Sequence, residues 1–293
     1  MMTPFDPTRA PAGRLARLGV VIDPAEPSAV AIARFADLAG IDVVWVASLG
    51  TEGGSLADAS VVATAILRAR LGAIVATGGP PPAFANEITV DAGDETLNLA
   101  RRLRDDTGGS AERPRFAAVA ESQAEIAALL AVVDDVVLPA WRFPDLETAA
   151  DEARAQAQEA GRDPATLGVA ALVPVSIGRT STEAEARADR DPRFARLGHP
   201  RDVGIFGTLE DCQDRVIALA HAGISDLRCI LPAAPDVHDV IAQLTAVTIG
   251  TTDVLRPGSL RSPAPPPPEG WGGRPEQPPR QGVSGGSRRR DGA

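Results

Sequence analysis

The sequence contains no lysine and no tyrosine among its 293 residues. Without lysine, neither a Schiff base on an amine nor a P-loop lysine at a nucleotide phosphate can form. Without tyrosine, no phenol can act as a general acid. The motif GxGxxG is absent as well, so a Rossmann dinucleotide site has no support. These absences exclude several large classes of enzyme before any motif is considered.

Cysteine and histidine are scarce. The two cysteines, Cys212 and Cys229, have no CxxC spacing, and we expect buried thiols of a reducing compartment. The three histidines, His199, His221 and His238, have no metal-ligand spacing with each other or with the cysteines, so the sequence predicts no metal site. The net charge of -10 argues against a nucleic-acid surface.

Long hydrophobic runs are also missing. No apolar stretch approaches the ~18 residues that a membrane helix needs. The opening residues, MMTPFDPTRAPAG, are polar and interrupted by proline, unlike the apolar centre of a signal peptide. We therefore expect a cytoplasmic protein that neither enters a membrane nor binds nucleic acid.

Composition divides the chain into three segments. Residues 1–14 are expected to be a flexible N-terminus, and residues 15–255 carry the apolar patterns of a folded domain. From Arg256 onward proline, glycine and arginine dominate, and seven arginines stand against three acids. Such a segment cannot bury enough surface to offset its ordering entropy, so residues 256–293 are predicted to be a disordered tail.

Within residues 15–255, apolar strand-like runs alternate with amphipathic helices, several of which end at a glycine such as Gly40, Gly161 or Gly223. Continuous apolar strands separated by helices indicate a parallel sheet covered on both faces. Eight such units in about 240 residues predict a compact (β/α)8 TIM barrel. An open, doubly wound sheet is the alternative. The eight runs lie at 18–23, 42–47, 71–76, 87–91, 116–120, 135–140, 168–177 and 226–231.

In a barrel of this kind, chemistry belongs at the carboxyl ends of the strands. Trp141 directly follows the sixth run and is the candidate for stacking on a ligand, whereas Trp45 alternates with valines and is predicted to be core. A loop at 188–207 is long enough to bring His199 over the mouth. The polar or aromatic residues at strand ends are Asp23, Ser48, Thr51, Thr77, Asp91, Glu121, Ser122, Trp141, Arg142, Arg179 and Asp236.

The stretch AESQAE, which follows the fifth run, has two interpretations. A helix that begins at Ser122 would offer unpaired N–H groups and a positive dipole end to a phosphate. The same letters, from Ser122 to Glu125, also form an S-x-x-E capping box, in which the serine only caps the helix. The sequence leaves both interpretations open.

Four stretches resemble the luciferase-like monooxygenases: ADLAGIDVVWVA, ILRARLGAIVATG, FAAVAESQAEIAALLAVVDDVVLPA and GTLEDCQDRVIALAHAGISDLRCILP. The resemblance implies a (β/α)8 oxidoreductase or monooxygenase that uses FMN or a deazaflavin coenzyme, acts on a small organic molecule and forms a homodimer. Glu121 and Ser122 match the pair that binds the flavin phosphate in that family. Ser48, Thr77, Trp141 and Arg179, at other strand ends, are the further candidates for cofactor contacts.

The sequence departs from the family after the second strand. There the family commonly places an acid and a histidine, but this chain has Ser48 and Leu49, neither of which acts as an acid or base near neutral pH. No catalytic residue is therefore assigned. One alternative is a non-catalytic or degenerate flavin-binding barrel. Another is a cofactor-free lyase or isomerase, with carboxylates drawn from Asp23, Asp91 and Glu121.

Overall fold

The computed structural model describes residues 16–47, 56–75, 85–91, 93, 95–106 and 114–249. The predicted segments 1–14 and 256–293 lie outside these ranges, so their boundaries stay predictions. Ser48, Thr51 and Thr77 also lie outside the described residues.

Eight parallel strands close into a barrel. Each strand pairs with the next, and the last pairs with the first, so the ring has no open edge. All eight predicted strands are confirmed, and the open-sheet alternative is wrong. In chain order the strands are β1 (Arg17–Ile22), β2 (Val43–Val46), β3 (Arg70–Val75), β4 (Glu87–Val90), β5 (Arg115–Val119), β6 (Asp135–Pro139), β7 (Gly168–Ile177), the additional short strand β8 (Ile205–Gly207), and β9 (Asp226–Ile230), which completes the barrel.

Helices surround the barrel and bury their apolar faces against the outward side chains of the strands. Within the described residues no helix stands between β3 and β4. None of the described helices is long and apolar enough to cross a membrane. The helices are α1 (Ala29–Ala39), α2 (Leu56–Ala63), α3 (Thr96–Asp106), α4 (Gln123–Leu129), α5 (Leu146–Glu159), α6 (Ser181–Arg190), α7 (Phe194–Leu197), α8 (Pro200–Val203), α9 (Leu209–His221) and α10 (Val237–Ile249), with a 3-10 turn at Pro164–Thr166.

Glycine ends several of the helices as predicted. Gly40 follows α1 with φ 86°, and Gly223 lies just beyond α9 with φ 79°. In this left-handed region a side chain would be strained, so glycine lets the chain turn sharply into the next strand.

β7 is longer than the other barrel strands and leaves the barrel before it ends. Its pairing with β6 stops at Leu172, and its pairing with β9 stops at Pro174. The last three residues, from Val175 to Ile177, pair with β8 instead. The expectation of a loop over 188–207 is wrong, because this segment contains α7, α8 and β8.

Trp45 fills the centre of the barrel, which confirms its predicted place in the core. Its side chain is fully buried, and the Arg228 guanidinium lies 3.8 Å from the centre of its ring. Gly19 and Gly72 face it from the neighbouring strands. A Cβ on either glycine would approach within 2.7 Å of ring atoms of Trp45, so the two glycines make room for the indole.

Buried ion pairs close the amino-terminal end of the barrel. Arg17 donates to Glu87 at 2.6 Å and to Asp226 at 2.7 Å, while Arg228 reaches Asp226 at 3.3 Å. Burial by itself raises the pKa of Asp226, but the two arginines hold that pKa below its ordinary value. Because polar side chains fill this end, a ligand that enters the barrel has to approach from the other end.

Both cysteines are buried and unpaired with each other, as expected. Burial raises the pKa of Cys212 to about 12, and burial also raises the pKa of Cys229. A thiol that stays protonated is a poor nucleophile. The two residues therefore serve packing rather than chemistry.

Candidate functional site at the barrel mouth

Inward side chains at the carboxyl ends of the barrel strands form an apolar floor. In barrels of this architecture the chemistry is placed at this end, so the floor and the loops around it form the candidate site. The floor consists of Val21, Ala47, Ile74, Val119, Val137, Leu172 and Ile230.

Residues 191–198, which we call the strap, lie over this floor. Phe194, in α7, is only 2% exposed and belongs to the same apolar cluster. Leu197 and Trp141 pack against the cluster as partly buried side chains. A Cβ on Gly198 would lie 3.6 Å from the Cβ of Trp141, so the end of the strap meets the end of β6.

A buried ion pair fastens the other end of the strap. Asp191 accepts the N–H of Ala233 at 2.7 Å, and Arg193 donates to the Leu231 carbonyl at 2.8 Å. Arg193 also pairs with Glu26 at 2.9 Å and with Asp191 at 2.8 Å. Burial by itself raises the pKa of Asp191, but hydrogen bonds from Arg193 and Ala233 hold that pKa below its ordinary value. The strap therefore connects the loops that follow β1 and β9 with the end of β6.

Three of the predicted cofactor-binding residues lie at one edge of the mouth. Glu121 and Ser122 follow β5, and Trp141 and Arg142 follow β6, the strand that pairs with β5. A side-chain nitrogen of Arg142 is 3.7 Å from a carboxylate oxygen of Glu121, and both side chains are about half exposed. This edge thus presents a carboxylate, a hydroxyl, a guanidinium and an indole beside the apolar floor.

The predicted capping box at Ser122 is only partly present. Ser122 occupies the N-cap position of α4 in an extended conformation, but its side chain makes no cap hydrogen bond. Glu125 does reach back, yet its carboxylate accepts the N–H of Glu121, at 2.8 Å, rather than that of the serine. The Ser122 hydroxyl therefore makes no hydrogen bond to the helix, whereas the Glu125 carboxylate already accepts the N–H of Glu121 at this end of the helix.

Two other helices show what a completed cap looks like in this chain. Thr180 accepts the N–H of Glu183 at 3.2 Å at the start of α6. At the start of α9, Thr208 and Asp211 form a complete capping box. Ser122 differs from both threonines in making no such bond, and in this it resembles Ser28 at the N-cap of α1.

Arg179 is not brought to the edge that Ser122 and Trp141 share. It lies five residues beyond Pro174, the last residue of β7 to pair with β9. Its side chain is 86% exposed and lies 3.4 Å from Glu183 on α6. The unusual length of the apolar run that forms β7 was the one signal that this strand extends past the mouth.

The three carboxylates considered for a cofactor-free reaction do not share one position. Asp23 follows β1, Asp91 follows β4, and Glu121 follows β5. β1 and β5 are four strands apart in a ring of eight, which places them on opposite sides of the barrel.

A cavity of about 510 Å³ lies between the loops that follow β1 and β9. Asp23, Glu26, Ser28, Arg193 and His238 contribute its polar lining. Asp23 was among the strand-end residues that the sequence selected, but the other four were missed. They come from a loop, the strap and a helix, and no local pattern links them.

One group in the described residues has the spacing of a metal site, formed by Glu185, Asp189 and His199. The sequence did not reveal it, because the histidine lies outside the helix that carries the two acids. Nδ1 of His199 accepts the N–H of Arg201 at 3.2 Å and caps α8. In the neutral ring the proton is then on Nε2, the nitrogen that faces Asp189, so this tautomer offers the acids a donor rather than a metal ligand.

Comparison with family models and with curated proteins finds no match. Solved structures do match. The coenzyme F420-dependent tetrahydromethanopterin reductase from Methanopyrus kandleri has a TM-score of 0.62 at 14% identity, covering 81% of this chain and 99% of that chain. An F420-dependent secondary alcohol dehydrogenase has a TM-score of 0.62 at 15% identity, covering 79% and 98%. A riboflavin lyase, solved with modified FMN, has a TM-score of 0.53 at 13% identity, covering 79% and 91%. The chain shares its barrel fold with these three proteins.

Proposed function

We propose that the protein is an oxidoreductase of the luciferase-like type that binds FMN or a deazaflavin coenzyme and acts on a small organic substrate. Since one fold can carry many functions, the likeness in fold supports this only by analogy. The observation that carries the proposal is the Ser122 hydroxyl. It makes no cap bond at the position where the resemblance places the cofactor phosphate.

The residues at the mouth fit such a cofactor. Ser122 and the N–H groups that begin α4 would hold the phosphate, with the Arg142 guanidinium at the same edge. Trp141, beside the apolar floor that Phe194 covers, would contact the ring and keep water from it. The negative charge of the Glu125 carboxylate would repel the phosphate and lower the affinity for the cofactor. The bound cofactor would supply the redox chemistry.

A non-catalytic or degenerate flavin-binding barrel is the second candidate. Phe194 is buried over the floor of the mouth, in the space that a cofactor ring would approach. His199 caps α8, His221 ends α9, and His238 packs against Phe35. A barrel that binds the cofactor without acting on a substrate would be consistent with this arrangement.

Spectroscopy and titration test the proposal. The purified protein is titrated with coenzyme F420, FMN and FAD, following cofactor fluorescence, and then assayed for oxidation or reduction of the bound cofactor by small alcohols and aldehydes. Binding at micromolar concentration with turnover is the expected result. Binding without turnover would favour the second candidate, and failure of all three cofactors to bind would remove both. The homodimer stays a prediction, which light scattering tests against a chain mass of 30.3 kDa.

A further inference from the structure

The cavity between the loops that follow β1 and β9 has the size and walls of a small-molecule site. Its volume of about 510 Å³ lies within the range of roughly 300–1,000 Å³ that is usual for such pockets. Most of its lining is apolar, with Val21, Ile32, Leu231 and Val237 beside a series of prolines and alanines. Such walls favour an apolar ligand, because removing apolar surface from water is favourable in proportion to its area.

The cavity reaches from the surface to the barrel mouth. Pro27, Ser28, Ala233 and Pro235 belong to its lining and are exposed, so a ligand can enter between the two loops from solvent. At the buried side the lining includes Val21, which also belongs to the apolar floor of the mouth. A ligand in the cavity would therefore lie beside the candidate site without occupying the edge formed by β5 and β6.

The carboxylates and the guanidinium of the lining already have partners. Glu26 pairs with Arg193 at 2.9 Å, and Arg193 pairs with Asp191 at 2.8 Å. Asp23 accepts the N–H of Ala25 at 3.0 Å. Burial by itself lowers the pKa of Arg193, but the bonds and charges of Asp191, Glu26 and Asp23 hold that pKa above its ordinary value. A charged ligand would lose water and compete with these established contacts, which disfavours cations and anions alike.

The lining does offer a polar group outside this network of charges. Ser28 stands at the N-cap of α1, but its side chain makes no cap hydrogen bond. A hydroxyl can donate one hydrogen bond and accept others, so it suits a hydroxyl or carbonyl oxygen of a ligand. His238, on the wall formed by α10, packs edge-on against Phe35 with the ring centres 4.7 Å apart. Ser28 is therefore the group that we assign to recognition.

We propose that this cavity binds a neutral aliphatic molecule that carries one hydroxyl or carbonyl group. The apolar chain would contact Ile32, Leu231 and Val237, and the oxygen would form a hydrogen bond with Ser28. This inference does not depend on the proposed cofactor, because the cavity belongs to β1, β9 and the loops that follow them rather than to β5 and β6.

The full-length protein without added cofactor is titrated by calorimetry with hexan-1-ol, hexan-2-one, hexylammonium chloride and sodium hexanoate. The four organic probes have the same number of carbons and differ in the charge of the polar group. We expect the alcohol and the ketone to bind at least about tenfold more tightly than the ammonium and the carboxylate, since each ion would be desolvated without a free partner. Equal or tighter binding of either ion, or failure of both neutral probes to bind, would overturn the proposal.

Two variants locate the site. Ala234→Leu, in the lining, should weaken hexan-1-ol binding at least about tenfold because the larger side chain takes up the space of the ligand. Ser28→Ala should weaken it about two- to tenfold through the lost hydrogen bond. The matched controls Ala155→Leu and Ser181→Ala change exposed residues outside the lining and should bind like the parent.

If both lining variants keep the parent affinity, the alcohol binds elsewhere and the proposal fails. Should Ala234→Leu not fold, Ser28→Ala decides by itself, because that change removes no cap hydrogen bond. Since no cofactor is present in any of these titrations, their outcome is separate from that of the cofactor titrations.

Discussion

Replacing Glu125 with glutamine tests whether the start of α4 holds a phosphate. The parent carboxylate accepts the N–H of Glu121 at 2.8 Å. A phosphate that used the donors of Ser122 would therefore face a negative charge at the same end of the helix. Glu125→Gln removes this charge but retains an amide oxygen that can accept the same N–H.

The size of the expected gain in cofactor affinity depends on how exposed to solvent the charged groups are. Two unit charges 4 Å apart repel by about 1 kcal/mol in water and by about 4 kcal/mol at an effective dielectric constant of 20. Both Glu121 and Glu125 are exposed, so the lower value applies. A gain of about 1 kcal/mol corresponds to roughly fivefold tighter cofactor binding. The free energy of unfolding should fall by about 0.3–1 kcal/mol, because a negative charge at the helix start is lost.

Fluorescence titration with coenzyme F420 and with FMN, alongside urea unfolding, measures both quantities. Asp211→Asn is the matched control, because Asp211 occupies the same position in the capping box of α9, away from the edge that Ser122 and Trp141 share. The control should lose stability and keep the parent affinity. If Glu125→Gln binds neither cofactor more tightly than the parent, Ser122 does not hold a phosphate, and the reasoning is refuted.

Three further predictions concern the fold. Gly72→Ala should lower the free energy of unfolding by roughly 1–3 kcal/mol in urea titrations, because the new methyl group would overlap the Trp45 ring; an unchanged midpoint would contradict the packing described for the barrel centre. Asp226→Asn should cost roughly 3–5 kcal/mol, since two buried arginines lose their shared carboxylate, and a cost below 1 kcal/mol would show that water replaces it. Asp37 accepts three backbone N–H groups, and although burial raises its pKa, these bonds hold that pKa below its ordinary value. The ionised Asp37 carboxylate therefore stabilises the fold above the unfolded pKa of about 3.9, and this stabilisation is lost as pH falls below it. The Asp37→Asn variant should consequently lose less stability than the parent when the pH is lowered from about 5 to 3.

The strand order and the core of the barrel were predictable from the sequence. Each strand is a short apolar run bounded by a helix end, and glycines such as Gly40 mark where the chain turns. Such signals depend on residues close in the chain, because hydrophobic periodicity and backbone preference are local. Trp45 could be assigned to the core for the same reason, since it alternates with buried valines.

The composition of the site depended on the tertiary structure. Arg179 follows the end of a strand in the sequence, but β7 extends beyond its pairing with β6 and β9, and the Arg179 side chain is exposed beside Glu183. The sequence left open whether Ser122 caps α4. In the structure the Ser122 side chain makes no cap hydrogen bond, and Glu125 accepts the N–H of Glu121 instead. Arg193 and Glu26 are 167 positions apart and meet only because the strap crosses to the loop after β1. Partners at such separations are chosen by packing and desolvation of the whole domain, and no local pattern records them.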